Sequence, residues 1–361
     1  MLLEMAAVVL LVALWVALGV DRWLGEPPVR YHPVVWMGHY LGWAGRRVQR
    51  VARQGVAFTH RGQAGSQPDH KAFWLAALVW SAGAAMVLII SGALQLGLLA
   101  LSRSVLPWLG GAMSASWVAS VGVLLSAGVL GLLLKPLLAW AMLKSEVLAV
   151  EAALNPAHGG ALAAGRERLS WLVSRDVSEL TEAQVRESAI ESLAENLNDS
   201  VVAPLFWFVL LGLPGAALYR FTNTADAMWG YPGVYKGHNW QWAGKWAAHA
   251  DDVLSWVPAR LTAVLLALGA GYLALYALRR EAAQTPSPNS GWPMAAMALA
   301  LGVCLQKPGV YALNVRGREV QASDVPRAIK YASNVLLALM GIALAAIVFM
   351  TMFGSCSHGP F

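Results

Sequence analysis

The feature that most constrains this chain is a series of apolar stretches, each long enough to cross a hydrocarbon layer and almost free of charge. A spanning α-helix needs about 20 mostly apolar residues. Residues 3–20, 73–101, 117–143, 260–278 and 332–353 meet that standard. Lipid offers no partner to a backbone N–H or C=O, so such runs are helices whose backbone satisfies itself. Two stretches are ambiguous: 201–219 contains Pro204 and Pro214, and 293–312 holds only a short apolar run before Lys307. Each reads as re-entrant, or as buried where protein covers the broken backbone. The expectation is an all-α polytopic membrane protein, one integral domain over residues 1–361. It has about five transmembrane helices (four to seven) and amphipathic helices outside the bilayer.

Composition agrees, with 58% hydrophobic and only 13% charged residues, where a soluble domain carries about a quarter charged. The 17 tryptophans suit a chain with much surface at the membrane–water boundary. The net charge of +6 does not point to nucleic acid, because the basic residues sit in loops beside apolar spans. There they set topology and meet anionic lipid or phosphate. Cys304 and Cys356 form no metal or disulfide pattern. The first apolar run follows Glu4 and ends in Asp21 and Arg22, so it reads as a retained helix and not a cleaved leader.

Hydrophilic segments cover 21–72, 144–200 and 220–258. The first carries Arg22, Arg30, Arg46, Arg47, Arg50, Arg53, Arg61 and Lys71, whereas the 102–116 connection has only Arg103. This asymmetry places 21–72 and 144–200 in the cytoplasm and 102–116 outside. Segments 220–258 and 279–331 both carry basic residues, and one span between them cannot leave both inside. One of the ambiguous stretches must resolve this.

Chemistry concentrates in three places. In 186–200, Glu187, Glu191, Glu195 and Asp199 recur every fourth residue. Each step drifts about 40° around a helix, so the four carboxylates form one slanted stripe. Ile190, Leu193, Ala194 and Leu197 take another face. Like charges at this spacing repel. The stripe is therefore either a solvated acidic face or the seat of a cation or basic loop, and its continuation into Val201 favours the second. In 219–252, Asp226, Asp251 and Asp252 are oxygen donors of the kind that hold Mg²⁺ together with substrate phosphates. Arg220, Lys236, Lys245 and Arg260 complement phosphate charge. Singly, each also reads as a loop charge or helix cap. In 21–38, His32 is locked before Pro33 and suits hydrogen bonding or phosphate binding; a zinc pair with His39 lacks a third ligand. There is no Walker A loop, GxGxxG turn, HExxH or GxSxG, so ATP phosphates would not sit in a common P-loop.

In their order and separation these segments resemble the adenosylcobinamide-phosphate synthase family, also called CobD/CbiB. The resemblance runs from Asp21 to about Leu313. It rests on Leu24 to Pro27 with His32 to Val34, Glu191 to Asn196 with Asp199, Ala203 to Leu205, and Asn223, Thr224, Asp226, Met228 and Gly230. Asp251 and Asp252, Pro258 to Leu261 and Ser287 to Gly291 complete it. Two departures stand out: Ala225 precedes Asp226 where many relatives have leucine, and Ala248 to Ala250 precede the Asp pair where Arg-Leu is usual. The second leaves open whether His249 takes over a cationic role. A regulatory branch, the AmpE-like membrane sensors, shares the architecture; the Glu195, Asn196, Asp199 and Asp251, Asp252 segments favour the enzyme branch.

The resemblance implies a multi-pass protein of the bacterial inner membrane with a cytoplasmic active face. Its implied activity is an ATP- and Mg²⁺-dependent amide ligase, joining a carboxylate of adenosylcobyric acid to (R)-1-aminopropan-2-ol O-phosphate. Under it, Glu191, Glu195, Asp199 and Asp226 are catalytic, and Glu195, Asp226, Asp251 and Asp252 hold Mg²⁺. His32, Asn196, Arg220, Asn223, Lys236, Lys245, Arg260 and Asn289 meet substrate or phosphate. Expected partners are the corrinoid, the phosphorylated amino alcohol, the bilayer and other late cobalamin-pathway enzymes; an oligomer is compatible with this. The rivals are a sensor or a small corrinoid or ion permease.

Overall fold

The computed structural model describes residues 2–52, 68–109, 115–155, 159–271 and 274–354. Arg53, Arg61, Cys356 and the middle of the 102–116 connection lie outside them. Among the described residues the helices are α1 (Leu2–Leu24), α2 (Pro33–Val51), α3 (His70–Leu109), α4 (Ala115–Leu134), α5 (Trp140–Leu154) and α6 (Leu162–Leu169). They continue as α7 (Glu182–Leu197), α8 (Ala203–Trp229), α9 (Lys245–Gly269), α10 (Leu275–Ala282), α11 (Gly291–Leu301) and α12 (Asp324–Gly354). The only sheet among these residues is two short antiparallel hairpins, β1–β2 (Val234–Tyr235, His238–Asn239) and β3–β4 (Leu305–Lys307, Tyr311–Leu313). Six helical stretches are long and apolar enough to cross a membrane: Ala7–Leu24, His70–Leu101, Ser120–Leu154, Glu182–Trp229, Lys245–Gly269 and Asp324–Met350. The chain is an all-α polytopic membrane protein.

Small residues allow the closest helix pair. Ala13, Ala17 and Ala127 are fully buried between α1 and α4, and a Cβ on Gly131 would lie 2.7 Å from the Ala13 carbonyl oxygen. Backbones approach this closely in membranes because packing, not water exclusion, holds them together. Helix α2 is amphipathic: Met37, Leu41, Ala44 and Val48 are buried, and Trp43, Arg46, Arg47 and Arg50 are exposed. The Arg47 guanidinium lies 3.7 Å over the Trp43 ring. Indole and guanidinium together suit the bilayer boundary.

The decisive departure from a simple bundle follows α7. Thr181 starts that helix with a capping box, its side chain accepting from Gln184 while Gln184 returns the bond to the Thr181 N–H. After Leu197 the helix widens into a π-turn, Asn198–Val202. Helix α8 then breaks at Gly212, whose φ of 70° and ψ of −157° belong to neither arm. A straight helix would separate Asp199 from Arg220 by about 30 Å. Instead Arg220 donates to the Asp199 carbonyl oxygen at 3.1 Å. The chain therefore doubles back, and 201–219 forms the larger part of a helical hairpin. Its tip is closed by protein: the Leu213 N–H donates to Gln95 Oε1 of α3 at 2.7 Å, and Pro214 has no N–H to satisfy. A broken backbone among apolar helices needs such a partner.

Other boundaries move for visible reasons. The 260–278 stretch is divided, because α9 starts at Lys245, passes Asp251, Asp252 and Arg260, and stops before Gly271 at φ 71°. Asp251 and Arg260 have partners inside the fold, so they do not end the helix. Stretch 117–143 breaks at a 3₁₀ turn, Lys135–Leu137, around Pro136. Stretch 293–312 is α11 followed by β3–β4, with α11 ended by Gly302 in the left-handed region.

Candidate active site

The helical hairpin and the π-turn bring separate motifs to one place. Asn223 Nδ2 donates to Asp199 Oδ2 at 3.2 Å and lies 3.4 Å from Asp251 Oδ1, so one amide links two acidic motifs. Asp199 also accepts from Asn198 at 2.8 Å and lies 3.4 Å from the hydroxyl of the fully buried Tyr219. That hydroxyl meets Ser255 Oγ at 3.0 Å. Asp226 lies within electrostatic reach of Asp199 and Asp252, and Asp251 within reach of Asp199, Asp226 and Asp252. Arg220 is the cation of this centre; it donates to the Asp199 carbonyl and is 3.4 Å from Asn223 Oδ1, while its Nε has no partner. Buried carboxylates that outnumber their cations repel one another unless positive charge arrives.

Glu191 and Glu195 of the stripe line a separate pocket of about 170 Å³. Arg175, from the α6–α7 loop, bonds Glu191 at 2.8 Å, and Tyr311 of β4 donates to the other oxygen at 3.0 Å. Burial, reinforced by the Glu191 charge, holds the Tyr311 phenol far above its ordinary value, so it stays a donor. The Gln306 backbone N–H meets Glu187. Glu195, Asn196 and Lys307 complete the wall. Tyr231, whose phenol burial pushes up to about 12, bonds Ser174 and ties the loop before β1 to the pocket rim. One loop cation, Arg175, thus pairs with Glu191 of the stripe.

A third cluster adjoins the centre through Arg220, which feels the charge of Glu26. Lys135, only 3% exposed, lies 2.7 Å from Glu26 and 3.4 Å from Asp21. His32 Nε2 lies 3.4 Å from Glu26. The Glu26 carboxylate, His32 Nδ1, Lys135 Nζ and Arg220 Nε are all buried without a well-aligned hydrogen bond. Buried polar atoms are rarely left so.

Other anticipated residues take different places. Arg260 lies between the Trp256 and Trp292 rings and donates to the Trp256 carbonyl at 2.6 Å and to Asn289 at 2.9 Å. Asn289 in turn donates to the Asp252 carbonyl at 2.8 Å, so the pair clamps the 287–290 turn onto α9. Lys236 sits in the β1–β2 turn over Tyr235, and Lys245 lies 3.5 Å from the Trp242 ring centre. Neither bonds a carboxylate of the centre. Lys135, Arg175, Lys307 and Tyr311 carried no motif. A lysine inside a stretch long enough to span was itself a signal for the first; only tertiary contact reveals the other three.

Among the described residues, no three His, Cys, Asp or Glu side chains converge as a ready metal cage. Mg²⁺ rarely needs one: it takes one or two carboxylates and keeps water and substrate phosphate. Asp199, Asp226 and Asp251, short of cationic partners, fit an ion that arrives with its phosphates.

The sequence profile described as CobD/Cbib protein matches residues 14–336. A probable cobalamin biosynthesis protein CobD from Pyrococcus abyssi is 38% identical over 322 residues, 88% of this chain and 90% of that protein. The cobalamin biosynthesis protein CobD of Yersinia enterocolitica is 34% identical over 356 residues, 95% and 98% of the two chains. A probable CobD of Methanothermobacter thermautotrophicus is 34% identical over 341 residues, 93% and 97%. No solved structure matches. Matched along nearly its whole length, and at full length by its relatives, this chain belongs to the CobD/CbiB family.

Proposed function

We propose that this protein is an adenosylcobinamide-phosphate synthase, forming the amide between a carboxylate of adenosylcobyric acid and (R)-1-aminopropan-2-ol O-phosphate. The names of its relatives support a role in cobalamin biosynthesis. The observation that carries the reaction class is the fold-back of α8, which sets Asp199, Arg220, Asn223 and Asp251 around one half-buried centre beside a basic-rimmed pocket.

Hydroxide is a poor leaving group, so the carboxylate must be activated. Its oxygen attacks the γ-phosphorus of ATP, ADP departs, and the acyl phosphate forms. The amine then attacks the acyl carbon, phosphate leaves, and the nitrogen gives up its proton. Mg²⁺, when bound, shields the phosphate charge. Arg220 faces the developing phosphate charge, and Asp199 or Asp226 takes the amine proton. Asn223 and Tyr219 keep Asp199 in place. The basic 21–72 segment supports an inner-membrane location with this face cytoplasmic, where the product passes to later enzymes.

The test is turnover in detergent with adenosylcobyric acid, aminopropanol phosphate and Mg-ATP, followed by mass spectrometry of the corrinoid. The expected result is a mass gain of one amide that requires both ATP and amine. Folded protein without that product would sink the proposal. One observation favours a second reading, an ion or corrinoid permease: Asp21, Lys135 and Arg220 are charges among apolar helices. Flux into sealed vesicles without covalent change would select it.

A further inference from the structure

We propose that the pocket between α7 and hairpin β3–β4 seats a small zwitterion, its ammonium on Glu195 and its phosphate monoester on Lys307. This rests on the reaction proposed above, in which that ligand is the phosphorylated amine.

The argument starts from which charges are committed. Glu191 is held by Arg175 and Tyr311, and Glu187 by the Gln306 N–H. Among the described residues, the side chains of Glu195 and Lys307 make no hydrogen bond or ion pair, although both line the same pocket and Glu195 feels the Lys307 charge. A free carboxylate and a free ammonium that face one space without meeting invite a ligand carrying the opposite charge at each end. Arg175 lines the same pocket and adds positive charge to its wall. Ser188, Ser192, Asn196 and Tyr311 add hydroxyl and amide groups to the same wall, suited to a ligand hydroxyl.

Size restricts the ligand further. About 170 Å³ is well below the ~300–1,000 Å³ of pockets for drug-sized molecules. A corrin ring or a whole nucleotide does not fit, whereas a three-carbon phosphorylated amine does. Glu195 also feels the charges of Asp199 and Asp226, so an amine bound there stands next to the acidic centre where the acyl group would be presented.

The phosphate seen by Lys307 could belong to the amine or to ATP, and kinetics separates them. In Lys307→Met the KM for aminopropanol phosphate should rise about 10- to 100-fold, the loss expected for one charge-assisted bond. The KM values for ATP and for unphosphorylated 1-aminopropan-2-ol should stay put, and Lys307→Arg should recover most of the loss. Glu195→Gln should weaken both amines alike. The Lys307 side chain is exposed on its hairpin and makes no hydrogen bond or ion pair among the described residues, so loss of folding does not confuse the result. An unchanged amine KM, or a rise confined to ATP, overturns the assignment while leaving the reaction intact. If wild type makes no amide, the reaction fails first. Calorimetric titration with aminopropanol phosphate then decides: binding that Lys307→Met removes upholds the pocket, and equal or absent binding overturns it.

Discussion

Asn223 spends one NH₂ group on two carboxylates, at 3.2 and 3.4 Å. Asn223→Ala should leave Asp199 and Asp251 facing each other without a shared donor. The expected cost is about 1–3 kcal/mol in stability, with turnover reduced at least about 100-fold as the centre loses its arrangement. Thermal unfolding in detergent and the mass-spectrometric assay read these separately; wild-type turnover would remove Asn223 from the site. Lys135 poses a different problem, since it is buried with Asp21 and Glu26. Lys135→Met should cost about 3–5 kcal/mol, because two carboxylates are left uncompensated. Adding Asp21→Asn and Glu26→Gln should restore most of that stability without restoring turnover. A triple variant as unstable as the single one would mean that packing, not charge, is what Lys135 supplies.

At the scale of elements, the hairpin tip depends on Gly212 and Gln95. The φ of 70° with ψ of −157° at Gly212 is a conformation nearly reserved for glycine, and the Gln95 side chain fills the space a Cβ would need. Gly212→Ala and Gln95→Leu should each destabilise by about 1–3 kcal/mol, and unfolding midpoints at wild-type values would dismiss the tip as a weak point. How much of this was legible follows from the same elements. Prolines 204 and 214 marked 201–219 as a segment that does not simply cross, and the every-fourth carboxylates marked one face of α7. What the sequence did not show is that the stripe divides. The π-turn moves Asp199 onto the Asn223 and Arg220 side, while Glu187 and Glu191 face the α6–α7 loop and β3–β4. That division depends on one extra residue in a turn, which leaves hydrophobic periodicity almost unchanged. Lys307 and Tyr311 were hidden because 293–312 read as a short re-entrant or buried stretch, and a hairpin of three-residue strands has too short a pattern to read. Asp251 and Arg260 pushed the expected span downstream, since a charge signals an end only when it lacks an internal partner.

For the whole molecule, a hairpin that returns to the face it left adds no net crossing. The α6–α7 loop and the β1–β2 turn must then lie on one side, which brings the 144–200 and 220–258 segments together. Cysteines introduced one at a time at Glu179 and Gly237, with Cys304 and Cys356 replaced by serine, should react with an impermeant maleimide from the same side of sealed vesicles. Reaction from opposite sides would refute the re-entrant path. The π-turn carries a consequence of another kind. Each residue of a helix advances the chain by about 100°, so removing any one from Asn198–Val202 would swing the whole returning arm away from Gln95 and from the acids it serves. Outside Asn198 and Asp199, substitutions along this turn can be absorbed one side chain at a time. A deletion cannot, so over evolutionary drift the other positions should change their letters far more readily than the stretch changes its length.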